Sequence, residues 1–315
     1  MTARLLRVAE VTPLSSLITR FRFECPDGGT LPLFSGGAHV VVEMPDDGVL
    51  RRNAYSLISD PMDGSGYEIA VRRDDAGRGG SRFMHSRVAV GDTMRIGAPV
   101  NLFSLDLRAR KQLLIAGGIG ITPFLAQLRQ LMRLQLPFEL HYAARSREDA
   151  AGLKLLPDLP QVHFHISDET RQVDLDAILS CQPLGTHVYT CGPAGMIRAV
   201  ETVATRLGWP KGALHSEAFL APPPGAAFQA KLARSGKTIT VGPHQSLLEA
   251  LEAADVDPPW LCRGGACGQC ETAVLSCKGQ IHHHDHWLSD AEKASQTRIM
   301  PCVSRFQGDE LILDR

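Results

Sequence analysis

CysArgGlyGlyAlaCysGlyGlnCys, residues 262–270, sets three cysteines on one short turn, with four and then two residues between them. A fourth, Cys302, arrives much later in MetProCysValSer. Three thiolates on one tight turn can converge on a metal centre a few ångström across only if the backbone may come close, and Gly264, Gly265 and Gly268 permit that while aiming amides at the sulfurs. A structural zinc site is the alternative, but zinc sites usually pair their cysteines as C-x2-C units. The x4, x2, distant-cysteine spacing is that of a plant-type 2Fe-2S centre. Cys262, Cys267, Cys270 and Cys302 are therefore the expected cluster ligands. Cys277 reads as a small buried residue, and the run His282, His283, His284, Asp285, His286 as a solvated loop, since adjacent histidines on an irregular segment seldom converge on one ion.

Upstream of this module, AlaProProProGlyAlaAla at 221–227 cannot propagate a helix or a central strand. It reads as a semi-rigid linker over 221–229, leaving 230–315 as a β-grasp-like ferredoxin domain. Within that domain PheGlnAlaLysLeu and LysThrIleThrVal are strand candidates, and 246–254 is a helix opened by Ser246 as N-cap. The 315 residues allow two or three domains, and the 44% hydrophobic and 21% charged fractions are those of a globular protein. With a formal charge of −1, neither nucleic acid nor an anionic membrane is an expected partner. The N-terminus has no signal-peptide apolar core, and no apolar run approaches the roughly 20 residues needed to span a bilayer. A cytoplasmic monomer is expected, and the remaining cysteines are expected to be free.

Residues 1–105 alternate in short apolar/polar runs, at 21–24, 38–44, 66–73 and 92–97, punctuated by glycine and proline. Short strands at such spacing predict a closed antiparallel β-barrel. From 106 to 220 the pattern becomes that of a parallel α/β domain. Strand candidates at 111–117, 138–144 and 186–192 are each followed by a turn and helix-forming sequence.

Two groups of residues in these domains carry chemistry. In the barrel, ArgAsnAlaTyrSerLeu (52–57) can lay an aromatic ring against a flavin while a hydroxyl and strand backbone bond its polar atoms. AlaValArgArg (70–73) follows, then GlyArgGlyGlySer (77–81) opening a helix, where exposed amides make a phosphate cradle. In the α/β domain, AlaGlyGlyIleGlyIleThrProPheLeu (116–125) takes a strand through a glycine turn into a helix, as a bound pyrophosphate requires. ThrCysGlyProAlaGlyMet (190–196) ends another strand at the same carboxyl edge, where nucleotides bind. Cys191 therefore stands where a nicotinamide ring is expected.

These motifs, in this order and with GluAlaPhe at 217–219, resemble the phthalate dioxygenase reductase family over nearly the whole chain. The resemblance implies FMN, NADH and a 2Fe-2S cluster as cofactors and a terminal oxygenase as the electron acceptor. It also implies that Tyr55, Ser56 and Leu57 hold the flavin ring, that Ala70, Val71 and Arg72 contact it from the next strand, and that Gly79, Gly80 and Ser81 take its phosphate. The family's arginine two residues before the tyrosine is Asn53 here, so Arg52 is taken for the phosphate contact, with Arg51 the alternative. Thr122, Cys191, Glu217 and Phe219 are the implied catalytic positions, with Glu217 and Phe219 closing over the flavin. Gly117, Gly118, Gly120, Pro123, Gly192, Pro193 and Met196 are the implied NADH site, with Arg145 and Ser146 at the adenosine end.

A hydride donor delivers two electrons at once and a 2Fe-2S cluster accepts one, so a flavin between them is chemically apt. The expected activity is that of an NADH-dependent reductase component of a two-component oxygenase. A Rieske non-haem iron oxygenase acting on an aromatic acid or a small amine is the expected partner, with a haem-thiolate monooxygenase the alternative. A non-catalytic iron–sulfur carrier or sensor is the rival from another class.

Overall fold

The computed structural model describes residues 3–46, 48–147, 149–150, 154–168, 173–219 and 224–315. Residues 221–223 of the expected linker lie outside these. The chain divides into two compact units: Met1–Met44, Tyr55–Arg73 and Ser81–Phe219 form the first, and Pro45–Ala54, Asp74–Gly80 and Leu220–Arg315 the second.

The first unit opens with antiparallel strands β1 (Arg4–Pro13), β2 (Ile18–Glu24), β3 (Ala38–Asp46), β4 (Val49–Ser56, of which residues 49–54 are counted with the second unit) and β5 (Tyr67–Arg72). Helix α1 (Gly80–Arg87), β6 (Thr93–Ile96) and β7 (Val100–Asn101) follow. The strands join in the order β4-β3-β6-β1-β2-β5, with β7 on β3. Their alternation is that of a sheet with one wet face: Leu6, Val8, Phe21, Phe23, Val40, Val42 and Ile69 point inward around Met84 of α1. The sequence predicts full closure; among the described residues the curled sheet meets itself at the Leu57–Ile69 bridge alone. β4 ends at Ser56, and the chain then turns away through Pro61, which has no N–H to extend a ladder.

The same unit continues into a five-stranded parallel sheet, ordered β10-β9-β8-β11-β12. Its elements are β8 (Lys111–Gly117), α2 (Thr122–Arg133), β9 (Phe138–Ala144), β10 (Val162–Ile166), α3 (Leu175–Ser180), β11 (Thr186–Cys191), α4 (Ala194–Arg206) and β12 (Leu214–Glu217). α2 packs Phe124, Leu125 and Leu128 against Leu114, Leu140 and Tyr142 on one face, in a core that also takes in Ile18, Ile58 and Phe103 of the curled sheet. α3 and α4 cover Leu113, Ile115 and Val188 on the other. Polar ties reinforce the shared core: Gln127 donates to the Phe103 carbonyl at 2.7 Å, and Gln130 accepts from the Gly36 N–H at 2.7 Å.

In the second unit β13 (Phe228–Leu232), β14 (Thr238–Val241), α5 (Leu247–Ala253), β15 (Thr272–His282), α6 (Asp290–Ser295), β16 (Arg298–Ile299) and β17 (Arg305–Leu313) form a mixed sheet, β14-β13-β17-β15-β16, packed on α5. Ser246 caps α5 as expected. Its hydroxyl accepts from the Glu249 N–H at 3.1 Å, and Glu249 reaches back to the Ser246 N–H at 2.8 Å. Among the described residues no helix is long and apolar enough to cross a membrane.

Phe124 is fully buried in the core shared by the curled and parallel sheets. Phe124→Ala is expected to lower the stability of the first unit by about 3–5 kcal/mol, read as a lower urea midpoint with an unchanged slope.

Candidate functional site

At the carboxyl edge of the parallel sheet, β8 and β11 end side by side, with Ala116 opposite Cys191, and Cys191 lies in turn opposite Glu217 of β12. The turn Gly118–Ile121 leads directly into α2, with Pro123 in its first turn. Gly120 approaches β11 so closely that an added Cβ would lie 2.4 Å from the Cys191 carbonyl oxygen. Gly117 likewise abuts Pro193 and Met196, so the two glycine motifs, some 70 positions apart in sequence, are packed into one edge. Arg145 and Ser146 follow β9 at the same edge, Arg145 exposed and the Ser146 hydroxyl 3.2 Å from Asp149.

Cys191 is fully buried, and burial, with the Glu217 charge added, pushes its thiol well above the ordinary range. Burial thus favours its neutral S–H form, which is not a nucleophile. Thr122 is buried and donates to the Ile119 carbonyl at 3.0 Å, which braces the turn. Phe219 is half exposed.

On the curled sheet, Ser56, Leu57, Ala70 and Val71 are buried, Tyr55 is partly buried and Arg72 is exposed. His85, on α1, donates from Nε2 to the Val71 carbonyl at 2.9 Å, and its Nδ1 lies 3.4 Å from the Thr19 hydroxyl. This histidine was not among the expected site residues. Its only local signal was its place in the PheMetHisSerArg stretch of α1. Gly80 and Ser81 begin α1, so the expected phosphate-binding sequence does stand at a helix start.

The two arginines weighed for the phosphate contact have different surroundings. Arg52, taken for the phosphate contact, is ion-paired with Glu252 of α5 at 2.9 Å within the second unit. Arg51 is the one beside the cradle. An added Cβ on Gly79 would lie 3.1 Å from the Arg51 guanidinium, which is also paired with Asp46 at 3.2 Å. Arg78, from the same glycine loop, pairs with Glu249 at 2.6 Å, so the residue that caps α5 also holds this loop.

The four cluster cysteines gather as expected. Cys262, Cys270 and Cys302 are buried, Cys267 is partly so, and the Sγ atoms of Cys270 and Cys302 are 3.3 Å apart. The Gly264 N–H donates to the Cys262 sulfur at 3.3 Å. Cys262 is held down at about 5 by the Cys267 thiol donating to it and by the N–H groups of Gly264 and Ala266. Four gathered cysteines, three of them buried, with backbone amides donating to their sulfurs form a donor set that suits an iron–sulfur cluster.

The loop owes its shape to particular contacts. Gly268 sits at φ 75° with the Trp287 ring directly over it, 2.3 Å from where a Cβ would stand. Arg263, at φ 53°, is fixed by two 2.7 Å bonds to Glu252 and by stacking 4.5 Å over Trp260. The histidine run is solvated as expected at His282, His284 and His286, but not throughout. Asp285 is buried, accepts from the Leu288 N–H at 2.8 Å and packs on Gly265, while the side chain of His283 is also buried.

Sheet, edge and cysteine loop together define an iron–sulfur oxidoreductase of modular build. Residues 230–307 match the family model described as the 2Fe-2S iron-sulfur cluster binding domain, and 99–214 match that of the dimethylamine monooxygenase subunit DmmA-like N-terminal domain. The chain is 48% identical to the heme-dependent oxidative N-demethylase beta subunit of Ectopseudomonas mendocina (strain ymp), over 98% of each chain. It is 45% identical to the carnitine monooxygenase reductase subunit of Escherichia coli (strain K12), over 98% of this chain and 97% of the other. The solved structure of phthalate dioxygenase reductase, described as modular for electron transfer from pyridine nucleotides to [2Fe-2S], superposes with a TM-score of 0.90. That match has 36% identity and covers 99% of this chain and 98% of the other. The chain belongs to the phthalate dioxygenase reductase family, the electron-transferring reductase subunits of oxygenase systems.

Two substitutions test the cluster loop. Gly268→Ala should cut bound iron and visible cluster absorbance by more than half, whereas Gly195→Ala, whose Cβ would meet nothing within 4 Å, should leave both unchanged. Glu252→Ala strands the buried Arg263 guanidinium and should cost the second unit about 3–5 kcal/mol, seen as earlier loss of cluster circular dichroism on heating.

Proposed function

We propose that the chain is the NADH-dependent reductase component of a two-component oxygenase, carrying electrons from NADH through FMN and the 2Fe-2S cluster to a terminal oxygenase. The observation that carries this reading is the occurrence, in one chain, of a glycine-lined carboxyl edge, a Tyr-Ser strand, a glycine turn at a helix start, and four gathered cysteines. When bound, FMN takes a hydride and releases electrons singly, which reconciles the two-electron donor with the one-electron outlet.

The chain's own contribution is placement. Gly118, whose Cβ would meet nothing within 4 Å, leaves room for the dinucleotide's pyrophosphate at the start of α2, while Gly117 and Gly120 let the turn close on the wall formed by Gly192, Pro193 and Met196. Arg145 and Ser146 suit the adenosine end. Cys191 offers a neutral, apolar contact to the nicotinamide, and Glu217 and Phe219 stand at the end of β12, where a carboxyl and an aromatic ring can cover the reacting faces. Tyr55, Ser56 and Leu57 line the flavin ring, and His85 holds β5 so that Ala70, Val71 and Arg72 are presented in a fixed position. Gly79, Gly80 and Ser81 take the phosphate, with Arg51 in preference to Arg52 as its cation. A single phosphate in such a cradle favours FMN over a dinucleotide flavin.

The partner we propose is a Rieske non-haem iron oxygenase acting on a small N-methylated amine. The amine rests on the likeness to the N-demethylase and carnitine monooxygenase subunits. A haem-dependent oxygenase is the second reading, favoured by the 48% identity to the beta subunit of a heme-dependent N-demethylase. A cytoplasmic monomer fits both, since the cluster thiols must stay reduced until assembly.

Purified protein should release FMN on denaturation and reduce cytochrome c with NADH. Cys302→Ala should abolish cytochrome c reduction while NADH still bleaches the flavin. A wild-type protein in which NADH bleaches neither flavin nor cluster would be incompatible with the proposal. Reconstitution with a terminal oxygenase of each type and a methylated amine, scored by NADH-dependent formaldehyde release, separates the two partners.

A further inference from the structure

The parallel sheet carries a second cluster of ligand-type side chains, away from its glycine-lined edge. Side chains two apart on a strand share a face, so Glu139 and His141 of β9 lie together, as do His163 and His165 of the neighbouring β10. The register sets His163 directly opposite His141. Among the described residues β10 is the edge strand of the sheet.

The arrangement is specific. His141 Nε2 is 2.7 Å from Glu139 Oε1, and His163 Nε2 is 4.0 Å from the same oxygen. The other carboxylate oxygen, Oε2, is already engaged by Lys111 at 2.5 Å and by Gln182 at 3.3 Å. One oxygen is thus fixed by the protein and the other faces two imidazoles. The donor atoms of Glu139, His141 and His163 all lie within 4.8 Å of one another. His141 Nδ1 meets His165 Nε2 at 3.0 Å.

We propose that Glu139, His141 and His163 bind a divalent first-row transition ion, for which Zn2+ is the best match, and that His165 orients His141 from behind. Two imidazoles and a monodentate carboxylate make a common zinc donor set, leaving a fourth position for water. Bond lengths of about 2.0–2.1 Å place tetrahedral donors roughly 3.3 Å apart. The exposed His163, its side chain 43% accessible, closes the remaining gap by a side-chain rotation. With the ion on Nε2, His141 carries its proton on Nδ1 and donates it to His165, and His165 carries its own on Nδ1. Both rings stay neutral and no net proton is released. Such a partner on the second nitrogen is the usual support of a metal-bound histidine. The bound ion would fasten the edge strand β10 to β9 and stabilise the folded chain by mass action.

The test uses tag-free holoprotein with its cluster intact, dialysed to equilibrium against Zn2+ and counted for metal. Wild type should retain a single Zn2+ per chain, and both His163→Gln and Glu139→Gln should lose it. His286→Gln, in the other histidine-rich segment, should keep it. In parallel, Zn2+ should slow diethyl pyrocarbonate modification of His163 several-fold, mapped by mass spectrometry. His163 is exposed, so its replacement should leave far-ultraviolet circular dichroism and cluster absorbance unchanged. Wild type that retains no Zn2+, or a His163→Gln protein that binds as wild type does, would overturn the proposal. So would loss of Zn2+ in His286→Gln alone, which would place the ion elsewhere.

Discussion

A carboxylate held between two guanidiniums organises the second unit. Glu252 sits on α5, takes both nitrogens of Arg263 from the cluster loop and a further bond from Arg52 of the arm Pro45–Ala54. Little of any of the three side chains is exposed, so the charges are only weakly screened by water and each depends on the others. One turn earlier Glu249 repeats the device with Arg78 while capping the helix. α5 is thus a short apolar helix on its core side and a paired-carboxylate clamp on the other. The loop that carries three cluster ligands is fixed through Arg263, a residue that ligates nothing.

The first unit relies on backbone proximity instead of charge. At Gly120 and Gly117 the turn after β8 touches the end of β11, with no side chain between them. The helix that follows must then start where it does, and its buried face, with Phe124 and Leu128, meets the curled sheet. Packing at the edge and packing in the core are therefore one constraint. A larger residue at the turn would displace the helix start together with the wall around Pro193 and Met196.

Much of this was legible from local pattern. The apolar runs at 111–117 and 138–144 are strands over those spans, the glycine turn at 118–121 precedes a helix, and Ser246 caps α5. The cysteine spacing alone brought four distant thiols together. What stayed hidden depended on partners far along the chain. Nothing near Arg52 announces Glu252, 200 positions on, so its ion pair with that carboxylate was not foreseen. His85 gave no sign that it braces β5, and β10, whose alternate positions are histidines, lacked the apolar run that marks its neighbours. The histidine run at 282–286 looked polar enough for solvent, yet Asp285 is drawn inside by the Leu288 amide and by its packing on Gly265. How far the curled sheet closes, through the Leu57–Ile69 bridge, is a matter of long-range pairing that alternation does not encode.

The buried thiol of Cys191 also bears on durability. Electron carriers that work beside oxygenases leak electrons to dioxygen, and the resulting peroxide attacks thiolates rather than thiols. A cysteine sealed at the end of a central strand, with its ionisation suppressed by burial and a neighbouring carboxylate, offers peroxide almost no thiolate. The exposed Cys181 has no such enclosure. The protein thereby keeps a soft, polarisable sulfur inside the sheet while withholding the reactivity of a thiolate.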